Sequence, residues 1–143
     1  MKLSTAGITL IAGFEGLRMT AYQDQRGIWT IGYGHTLGVS AGETCTEEQA
    51  NNWMGEDLEV AEDAVTRMVT FPINQNQFDA LVSLGYNIGI TALKNSHLMA
   101  YLNASAVKAA SAEFLAWNHV NGVVDAGLTR RRESERALFD TAV

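Results

Sequence analysis

The chain has 143 residues, of which 47% are hydrophobic, and it carries a formal net charge of −6. This length allows one substantial core in a single domain, and the lack of low-complexity runs and internal repeats excludes a disordered tail or a repeat array. Cys45 is the single cysteine and the three histidines lie far apart, so an intrachain disulfide is excluded and a metal hydrolase is not expected.

The first predicted element is a helix within the uncharged run 3–14, whose larger apolar residues fall at helical spacing. Ser4 or Thr5 can cap its start. Gly16 follows Glu15 at a position where a left-handed residue can end a helix. The run is too short to cross a bilayer and lacks a small-residue cleavage site. We therefore interpret it as a helix that delivers Glu15, and not as a signal peptide or a membrane segment.

Two carboxylates and a hydroxyl occur at the end of this helix and in the segment after it. Backbone carbonyls at a helix C-terminus disfavour negative charge, so Glu15 is predicted to stay protonated and able to donate. Asp24 lies in the polar turn 23–27, where a carboxylate is normally ionised, and Thr30 falls on the next strand, where its hydroxyl could orient a water. One protonated and one ionised acid are what glycoside hydrolysis needs. The ordinary alternatives are a cap, a turn former and a strand residue.

Strand-like runs at 18–22 and 28–33 flank this turn and predict an antiparallel hairpin. A weaker run at 37–39 is expected to add a third strand to a small sheet. Glycines on both sides of Tyr33 indicate that a ligand or another backbone comes close there. Three aromatic side chains could face a sugar or fill the core of a small lobe: Tyr22, Trp29 and Tyr33.

A long helix is predicted after Thr46, because Thr46 and Gln49 match a capping box and apolar residues follow at helical spacing as far as Met68. Half of the acidic residues lie between 43 and 63, a segment without Lys or Arg, while the remainder carries two more basic than acidic residues. The excess negative charge is therefore assigned to a solvated face of this helix, which is expected to join two lobes.

Further helices are predicted after a break at Pro72. Asn74 is expected to cap a helix with a buried apolar stripe, which consists of Phe78, Leu81, Val82 and Leu84. Ser96 and Ser105 are expected to cap two more helices, the second of which reaches Trp117.

The C-terminal part is predicted to contain a loop at 119–127 and a last helix at 129–139. This helix begins with three consecutive arginines at 130–132. A basic run can bind nucleic acid, but the acidic net charge and the lack of other basic clusters argue against that function.

The spacing of Glu15, Asp24 and Thr30 strongly resembles that of the phage lysozymes, the endolysin family that includes the T-even and lambdoid lysozymes (glycoside hydrolase family 24). Asp24 lies nine residues after Glu15 and Thr30 six residues later, within the segment FEGLRMTAYQDQRGIWTIGYGHT at 14–36. The resemblance covers nearly the whole chain, and it extends to 75–81, 86–89, 127–132 and 135–139.

This resemblance implies roles for individual residues. Catalytic roles are implied for Glu15, Asp24 and Thr30, and substrate-binding roles for Thr36, Tyr86, Asn87, Ser96 and Arg130. Asn87 also begins an ordinary helix exit and Ser96 can be a plain N-cap, so both have a structural alternative. Arg130 is implied to lie near Glu15, where its charge would favour the ionised carboxyl that the helix end disfavours. The sequence leaves open which effect prevails, and which of the three arginines faces the cleft.

The fold implied by the resemblance is α+β and lysozyme-like, in a single domain over 1–143. A small lobe with the antiparallel hairpin is expected at about 12–58 and a larger all-helical lobe at about 1–11 and 59–143, with a long connecting helix and a cleft between the lobes. His35 and Asp57 are implied to pair and to tie the lobes together. The alternative is that both side chains are simply exposed.

The implied function is hydrolysis of the β-1,4 bond between N-acetylmuramic acid and N-acetylglucosamine in peptidoglycan, which lyses a bacterium from within. Inversion at the anomeric carbon is expected, since Thr30 can help to hold a nucleophilic water. The implied protein is a monomer without cofactor, made in the host cytoplasm, that binds glycan strands of the periplasmic wall and depends on a holin to reach them. The alternatives are a catalytically silent peptidoglycan-binding module, and a wall amidase or peptidase, which would need a metal or a cysteine with its histidine.

Overall fold

Seven α-helices, one 3₁₀ turn and two short antiparallel hairpins make up the chain, and a computed structural model describes all of its residues, 1–143. The helices are α1 (Thr5–Glu15), α2 (Glu47–Met68), α3 (Gln75–Ile88), α4 (Ile90–Lys94), α5 (His97–Asn103), α6 (Val107–Glu113) and α7 (Ala126–Phe139), and the 3₁₀ turn is Phe114–Ala116. The strands are β1 (Arg18–Gln23), β2 (Trp29–Gly32), β3 (His119–Val120) and β4 (Val123–Val124).

The chain divides into two compact units. The hairpin unit comprises Thr9–Val60, and the helical unit comprises Met1–Ile8 together with Ala61–Val143. None of the helices combines the length and the apolar character that a membrane crossing requires.

In the hairpin unit, α1 ends where the sequence predicts. Gly16 has a φ of +66°, a left-handed conformation that glycine adopts without strain, and this stops the helix directly after Glu15. β1 and β2 then pair antiparallel, with Tyr22 opposite Thr30 and an irregular register between Arg18 and Tyr22. The predicted hairpin is therefore confirmed, and it places Tyr22 and Thr30 side by side.

The predicted third strand at 37–39 is wrong. The segment forms turns, and Gly38 and Gly42 have φ values of +71° and +81°. A left-handed residue reverses the backbone and cannot continue an extended strand, so the two glycines outweigh the apolar character of the run. The free edge of β1 is instead covered further along the chain, where Thr44 forms an antiparallel bridge with Thr20.

The capping box that begins α2 is confirmed. The Gln49 N–H donates to Thr46 Oγ1 at 3.2 Å, and the Thr46 N–H donates to Gln49 Oε1 at 2.9 Å. The acidic face is mostly exposed, as predicted, at Glu47, Glu48, Glu56, Glu59 and Asp63. Glu62 is an exception, because its side chain is buried in the helical unit and accepts a hydrogen bond from the Leu3 N–H at 2.6 Å.

The start of α1 belongs to the helical unit and is held by the buried carboxylate of Asp79 on α3. That carboxylate accepts hydrogen bonds from the Ser4 N–H at 3.1 Å, from the Ser4 hydroxyl and from Gln75 Nε2 at 2.8 Å. Ser4 in turn caps α1, since its Oγ accepts from the Gly7 N–H at 3.1 Å. A Cβ atom at Gly7 would lie 2.7 Å from the carboxyl carbon of Asp79, so this close approach requires glycine.

The core of the helical unit lies between α3, α7 and the short helices. Asn74 caps α3 in a complete capping box with Gln77, and Ser96 caps α5 by accepting from the Met99 N–H at 3.1 Å. Both caps are as predicted. The predicted stripe on α3 is fully buried at Phe78, Leu81, Val82 and Leu84.

Ser105 does not cap a helix, contrary to the prediction. Its φ is +66°, whereas an N-cap residue needs an extended backbone, and α6 begins two residues later without a side-chain cap. The predicted loop at 119–127 contains the hairpin β3–β4, whose turn residues Asn121 and Gly122 have φ values of +50° and +79°. Positive φ at both central residues is typical of the tight turns that join two strands.

The last helix begins three residues before its predicted start. Asp125 caps α7 by accepting from the Leu128 N–H at 2.8 Å, and the Thr129 hydroxyl donates to the Asp125 carbonyl at 2.9 Å. An Asp at the N-cap satisfies helix N–H groups that would otherwise lack partners. The first turn of α7 thus precedes the three arginines, which lie inside the helix.

Candidate active site

Glu15 is the last residue of α1 and is half-buried. The helix places it directly before the left-handed Gly16, and β1 begins two residues later at Arg18. The short connection keeps the carboxyl close to the start of the hairpin. The charge of Glu15 helps to raise the pKa of Tyr22 on β1, so the carboxyl lies within electrostatic reach of the hairpin.

Asp24 is held by the turn that it begins. Its Oδ1 accepts hydrogen bonds from the backbone N–H groups of Arg26 at 2.8 Å and Ile28 at 3.0 Å. Two N–H donors on one oxygen complement a negative charge and fix the plane of the carboxylate. The second oxygen, Oδ2, has only a 3.5 Å contact with the exposed Arg26 guanidinium. One oxygen therefore orients the group, and the other is left for a ligand.

Thr30 lies on β2 and is 3% exposed. Its hydroxyl donates to the Ile28 carbonyl at 2.9 Å. Because a hydroxyl has one proton and two lone pairs, this bond commits the proton and leaves the oxygen able to accept. Thr30 is therefore suited to accept a hydrogen bond from a water or a sugar hydroxyl.

Tyr22 lies on β1 and is one of the three aromatic residues that were predicted either to face a sugar or to fill the core of the small lobe. It faces Thr30 across the hairpin, and the Arg18 guanidinium lies 4.3 Å from the centroid of its ring. Burial raises the pKa of the Tyr22 phenol, the carboxylates of Glu15 and Asp24 raise it further, and Arg18 lowers it. The phenol thus lies in the field of both predicted catalytic acids.

The predicted pair of His35 and Asp57 is present. His35 Nδ1 lies 2.8 Å from Asp57 Oδ2, and the imidazole stacks on the Trp53 ring with centroids 4.6 Å apart. The backbone approach predicted near Tyr33 also has a partner, because a Cβ at Gly32 would lie 3.2 Å from Ala50 Cβ. Protein packing against α2, and not a ligand, explains why glycine is needed at that position.

Thr36 follows His35 and is exposed. Its backbone carbonyl accepts a hydrogen bond from the Val39 N–H at 3.4 Å, so the residue lies in a turn and not in a strand. A substrate-binding role for Thr36 stays a prediction.

In the helical unit, two of the predicted substrate-binding residues have structural partners. Asn87 Oδ1 accepts a hydrogen bond from Arg132 Nη2 at 2.7 Å, and Ser96 Oγ donates to the Leu93 carbonyl at 2.7 Å while it caps α5. Ser96 also lines an open pocket of about 420 Å³ together with Ala92, Asn95, His97, Glu113, Ala116 and Trp117. Tyr86 is half-buried and Arg130 is exposed. Substrate-binding roles for these four residues stay predictions.

A buried charge cluster lies next to Asn87, and the sequence did not predict it. Arg131 Nε is 3.2 Å and Arg132 Nε is 2.8 Å from the carboxylate oxygens of Glu135, and the Ser83 hydroxyl donates to the same carboxylate. Arg132 and Glu135 have no exposed surface. The signal in the sequence is the i, i+3 and i, i+4 spacing of opposite charges on α7, which is equally typical of a solvated helix face.

A family model described as Phage lysozyme matches residues 12–135, a range that includes Glu15, Asp24 and Thr30. The chain belongs to the phage lysozyme family. Two endolysins are similar over nearly their whole length. The endolysin of Acyrthosiphon pisum secondary endosymbiont phage 1 is 42% identical over 99% of this chain and 100% of its own, and that of Salmonella phage P22 is 44% identical over 97% and 98%.

The phage lysozyme family assignment is matched by the fold. The muramidase domain of SpmX from Asticaccaulis excentricus superimposes with a TM-score of 0.88 at 43% identity, over 99% of each chain. The predicted lysozyme-like α+β fold is therefore confirmed, with its small antiparallel sheet and its mostly helical body.

Within this phage lysozyme, the hairpin unit brings Asp24 and Thr30 onto one hairpin and brings both Glu15 and Asp24 within electrostatic reach of Tyr22. No group of three or more His, Cys, Asp or Glu side chains could hold a metal ion. The signal that distinguishes Tyr22 from the other two aromatic residues is its place two residues before Asp24, on the strand that pairs with the strand of Thr30.

Proposed function

We propose that this phage lysozyme hydrolyses the β-1,4 bond between N-acetylmuramic acid and N-acetylglucosamine in peptidoglycan, with Glu15 as general acid, Asp24 as general base and Thr30 as a water-positioning residue. The observation that carries the proposal is the turn of Asp24, in which two backbone N–H groups hold one carboxylate oxygen and leave the other available. Full-length similarity to endolysins supports a peptidoglycan-hydrolysing endolysin.

The hydrogen bond of Thr30 suggests how a water is held. Because the Thr30 proton is donated to Ile28, its oxygen accepts one proton of the water, while Asp24 Oδ2 accepts the other. The lone pair of the water is then directed away from both acceptors, towards the anomeric carbon. The water oxygen bonds to that carbon, and the bond to the leaving oxygen breaks. The proton of Glu15 goes to the leaving oxygen and a proton of the water goes to Asp24.

This arrangement favours inversion at the anomeric carbon, since a water attacks from the face opposite Glu15. We expect a separation of roughly 6.5–9.5 Å between the two carboxyl groups, the range that leaves room for the water. The first product is then the α-anomer. Proton NMR of an early digest, before mutarotation, tests this, and a β-anomer or a glycosyl group trapped on Asp24 would show a retaining mechanism.

Further properties of the proposal come from the resemblance to relatives. We assign the chain to glycoside hydrolase family 24, together with the T-even-type lysozymes. We also propose that it is made as a monomer in the bacterial cytoplasm and that it reaches the periplasmic wall through a holin. Peptidoglycan glycan strands are the substrate partner, and Thr36, Tyr86, Asn87, Ser96 and Arg130 are proposed to contact them. No cofactor is part of the proposal.

The experiment that tests the proposal measures reducing sugar released from purified peptidoglycan. Glu15→Gln should reduce the rate by at least about 100-fold, because an amide cannot protonate the leaving oxygen. Glu56→Gln, an exposed change on α2, is the matched control and should keep the wild-type rate. A folded Glu15→Gln protein with a near wild-type rate would overturn the assignment.

A further inference from the structure

Tyr22 occupies a central place in the hairpin unit. It is opposite Thr30 in the register of β1 and β2, and residues directly opposite in an antiparallel pair present their side chains on the same face. Asp24 follows two residues later, directly after the end of β1. The ring of Tyr22 is half-buried. Its backbone position therefore directs the phenol to the face that carries Thr30.

Arg18 holds the ring in that position. The Arg18 guanidinium lies 4.3 Å from the centroid of the Tyr22 ring, a distance at which a cation is attracted to an aromatic face. The ring is thus covered on one face by a cation and has Thr30 opposite it on β2. A ring fixed in this way presents its hydroxyl in one direction.

The hydroxyl of Tyr22 lies in the field of two carboxylates, those of Glu15 and Asp24. Burial, Glu15 and Asp24 together raise its pKa above the ordinary value of 10.0, against the opposing effect of Arg18. The phenol therefore keeps its proton throughout the neutral range. It is therefore a neutral donor beside the two carboxylates and Thr30, the residues to which the proposed reaction is assigned.

We propose that Tyr22 is a substrate-positioning residue, whose phenol O–H donates a hydrogen bond to an oxygen of the saccharide bound between Glu15 and Asp24, and whose ring is held in place by Arg18. This inference rests on the proposed function of the same site. The acceptor is a hydroxyl or an acetamido carbonyl oxygen, the two kinds of acceptor that N-acetylated sugars present.

The kinetic test compares Tyr22→Phe with the wild type on a soluble glycan of alternating N-acetylglucosamine and N-acetylmuramic acid. Tyr22→Phe keeps the ring and removes only the donor, so kcat/KM should fall roughly 2- to 13-fold, as for the loss of one ordinary hydrogen bond. The fall should appear mainly in KM, because the acceptor oxygen is present in both the ground state and the transition state.

The matched control is Tyr101→Phe, which removes a hydroxyl from an exposed tyrosine on α5. It should leave both kinetic constants unchanged. Arg18→Gln should raise KM by less than Tyr22→Phe does, since it loosens the ring but keeps the donor. A folded Tyr22→Phe enzyme with wild-type KM and kcat would overturn the inference.

A second measurement does not depend on turnover. In Glu15→Gln protein with ¹³Cζ-labelled tyrosine, saturation with the tetrasaccharide of the same glycan should shift the Tyr22 resonance and leave that of Tyr101 unmoved. If the Thr30 amide shifts on binding and the Tyr22 resonance does not, Tyr22 does not contact the sugar, while the proposed function stands. If the wild type binds the glycan through Tyr22 but releases no reducing sugar, the proposed hydrolysis fails and the positioning role stands.

Discussion

Two carboxylates with arginine partners show how differently the hairpin unit and the helical unit use the same side chains. Asp24 and Arg26 lie 3.5 Å apart, with side chains 23% and 58% exposed. Glu135 and Arg132 lie 2.8 Å apart, as an ion pair rather than an aligned hydrogen bond, and neither side chain is exposed. The first pair is therefore long and solvent-exposed, whereas the second is short and fully buried.

The difference lies in what fixes each carboxylate. Backbone N–H groups of its own turn hold Asp24, so no buried cation is required and one oxygen remains accessible. Burial raises the pKa of Glu135, while the charges of Arg132 and Arg131 and the Ser83 hydroxyl lower it. A buried carboxylate is tolerated only when cations and hydrogen-bond donors surround it, and a carboxylate surrounded in this way is not accessible to a substrate. We infer that Asp24 serves function and Glu135 serves stability.

The largest effect expected from this comparison is the loss of activity in Asp24→Asn. The amide keeps an oxygen that can accept from the backbone of the turn, so the free energy of unfolding should change by less than about 1 kcal/mol. It cannot take a proton from water, so the release of reducing sugar should fall by about 100-fold or more. Asp63→Asn, an exposed change on α2, should alter neither quantity. An Asp24→Asn protein that is active, or one that is strongly destabilised, would contradict the comparison.

The second prediction concerns the free energy of unfolding of Glu135→Ala, measured by urea denaturation. This change leaves Arg131 and Arg132 buried without their carboxylate, and breaking a buried pair in this way costs about 3–5 kcal/mol. Glu133→Ala, an exposed change on the same helix, should stay within about 0.5 kcal/mol of the wild type. The rate of sugar release per folded molecule should be retained. Equal stability of the two variants would show that the buried cluster contributes little.

The pair of His35 and Asp57 should contribute less to the free energy of unfolding than the buried cluster of Glu135 does, because the imidazole is nearly buried but Asp57 remains 28% exposed. A double-mutant cycle with His35→Gln and Asp57→Asn should yield a coupling energy of about 1 kcal/mol. Replacing His119 with Gln in the same cycle is the control, since His119 is exposed and distant in sequence, and no coupling is expected there. A coupling energy of zero for His35 would mean that the 2.8 Å contact does not stabilise the fold.

The smallest expected effect is a difference between the wild type and Tyr22→Phe in how much the stability of the fold decreases at alkaline pH. The folded pKa of Tyr22 is raised, so between its unfolded value of about 10 and the folded value the folded chain retains a proton that the unfolded chain has lost. Stability therefore falls as the pH rises through this window, and it is unaffected below it. The phenylalanine variant lacks this contribution, so its melting temperature should decline less above pH 10. Parallel declines would show that burial and the two carboxylates do not act on the phenol.

Local chemistry made much of this structure predictable. The caps at Thr46 and Asn74 and the helix stop at Gly16 involve residues within four positions of each other, and all three were predicted from the sequence. The cap of α1 was predicted to be Ser4 or Thr5, and it is Ser4. The motif of Glu15, Asp24 and Thr30 was recognised by its spacing, although its catalytic role is still a proposal. The pairing of His35 with Asp57 came only with the resemblance to a family.

Features that depend on distant parts of the chain were missed. Nothing near Arg131 in the sequence indicates that its guanidinium donates to the Ser83 carbonyl on another helix, and a run of three arginines is more often solvated. At 37–39, local apolar character predicted a strand, but the left-handed conformations of Gly38 and Gly42 decided the outcome. The position of Tyr22 beside Thr30 depends on strand register, which spacing alone does not fix.

The contact between Gly7 and Asp79 has a consequence for how this sequence can vary. A methyl group at position 7 would overlap the carboxyl carbon of Asp79, and that carboxylate cannot move away without losing its bonds to Ser4 and Gln75. Alanine at position 7 therefore becomes acceptable only if the side chain at position 79 shortens at the same time. Substitutions at these two positions should accordingly occur together among homologues, as a correlated pair that joins the first helix to the middle of the chain.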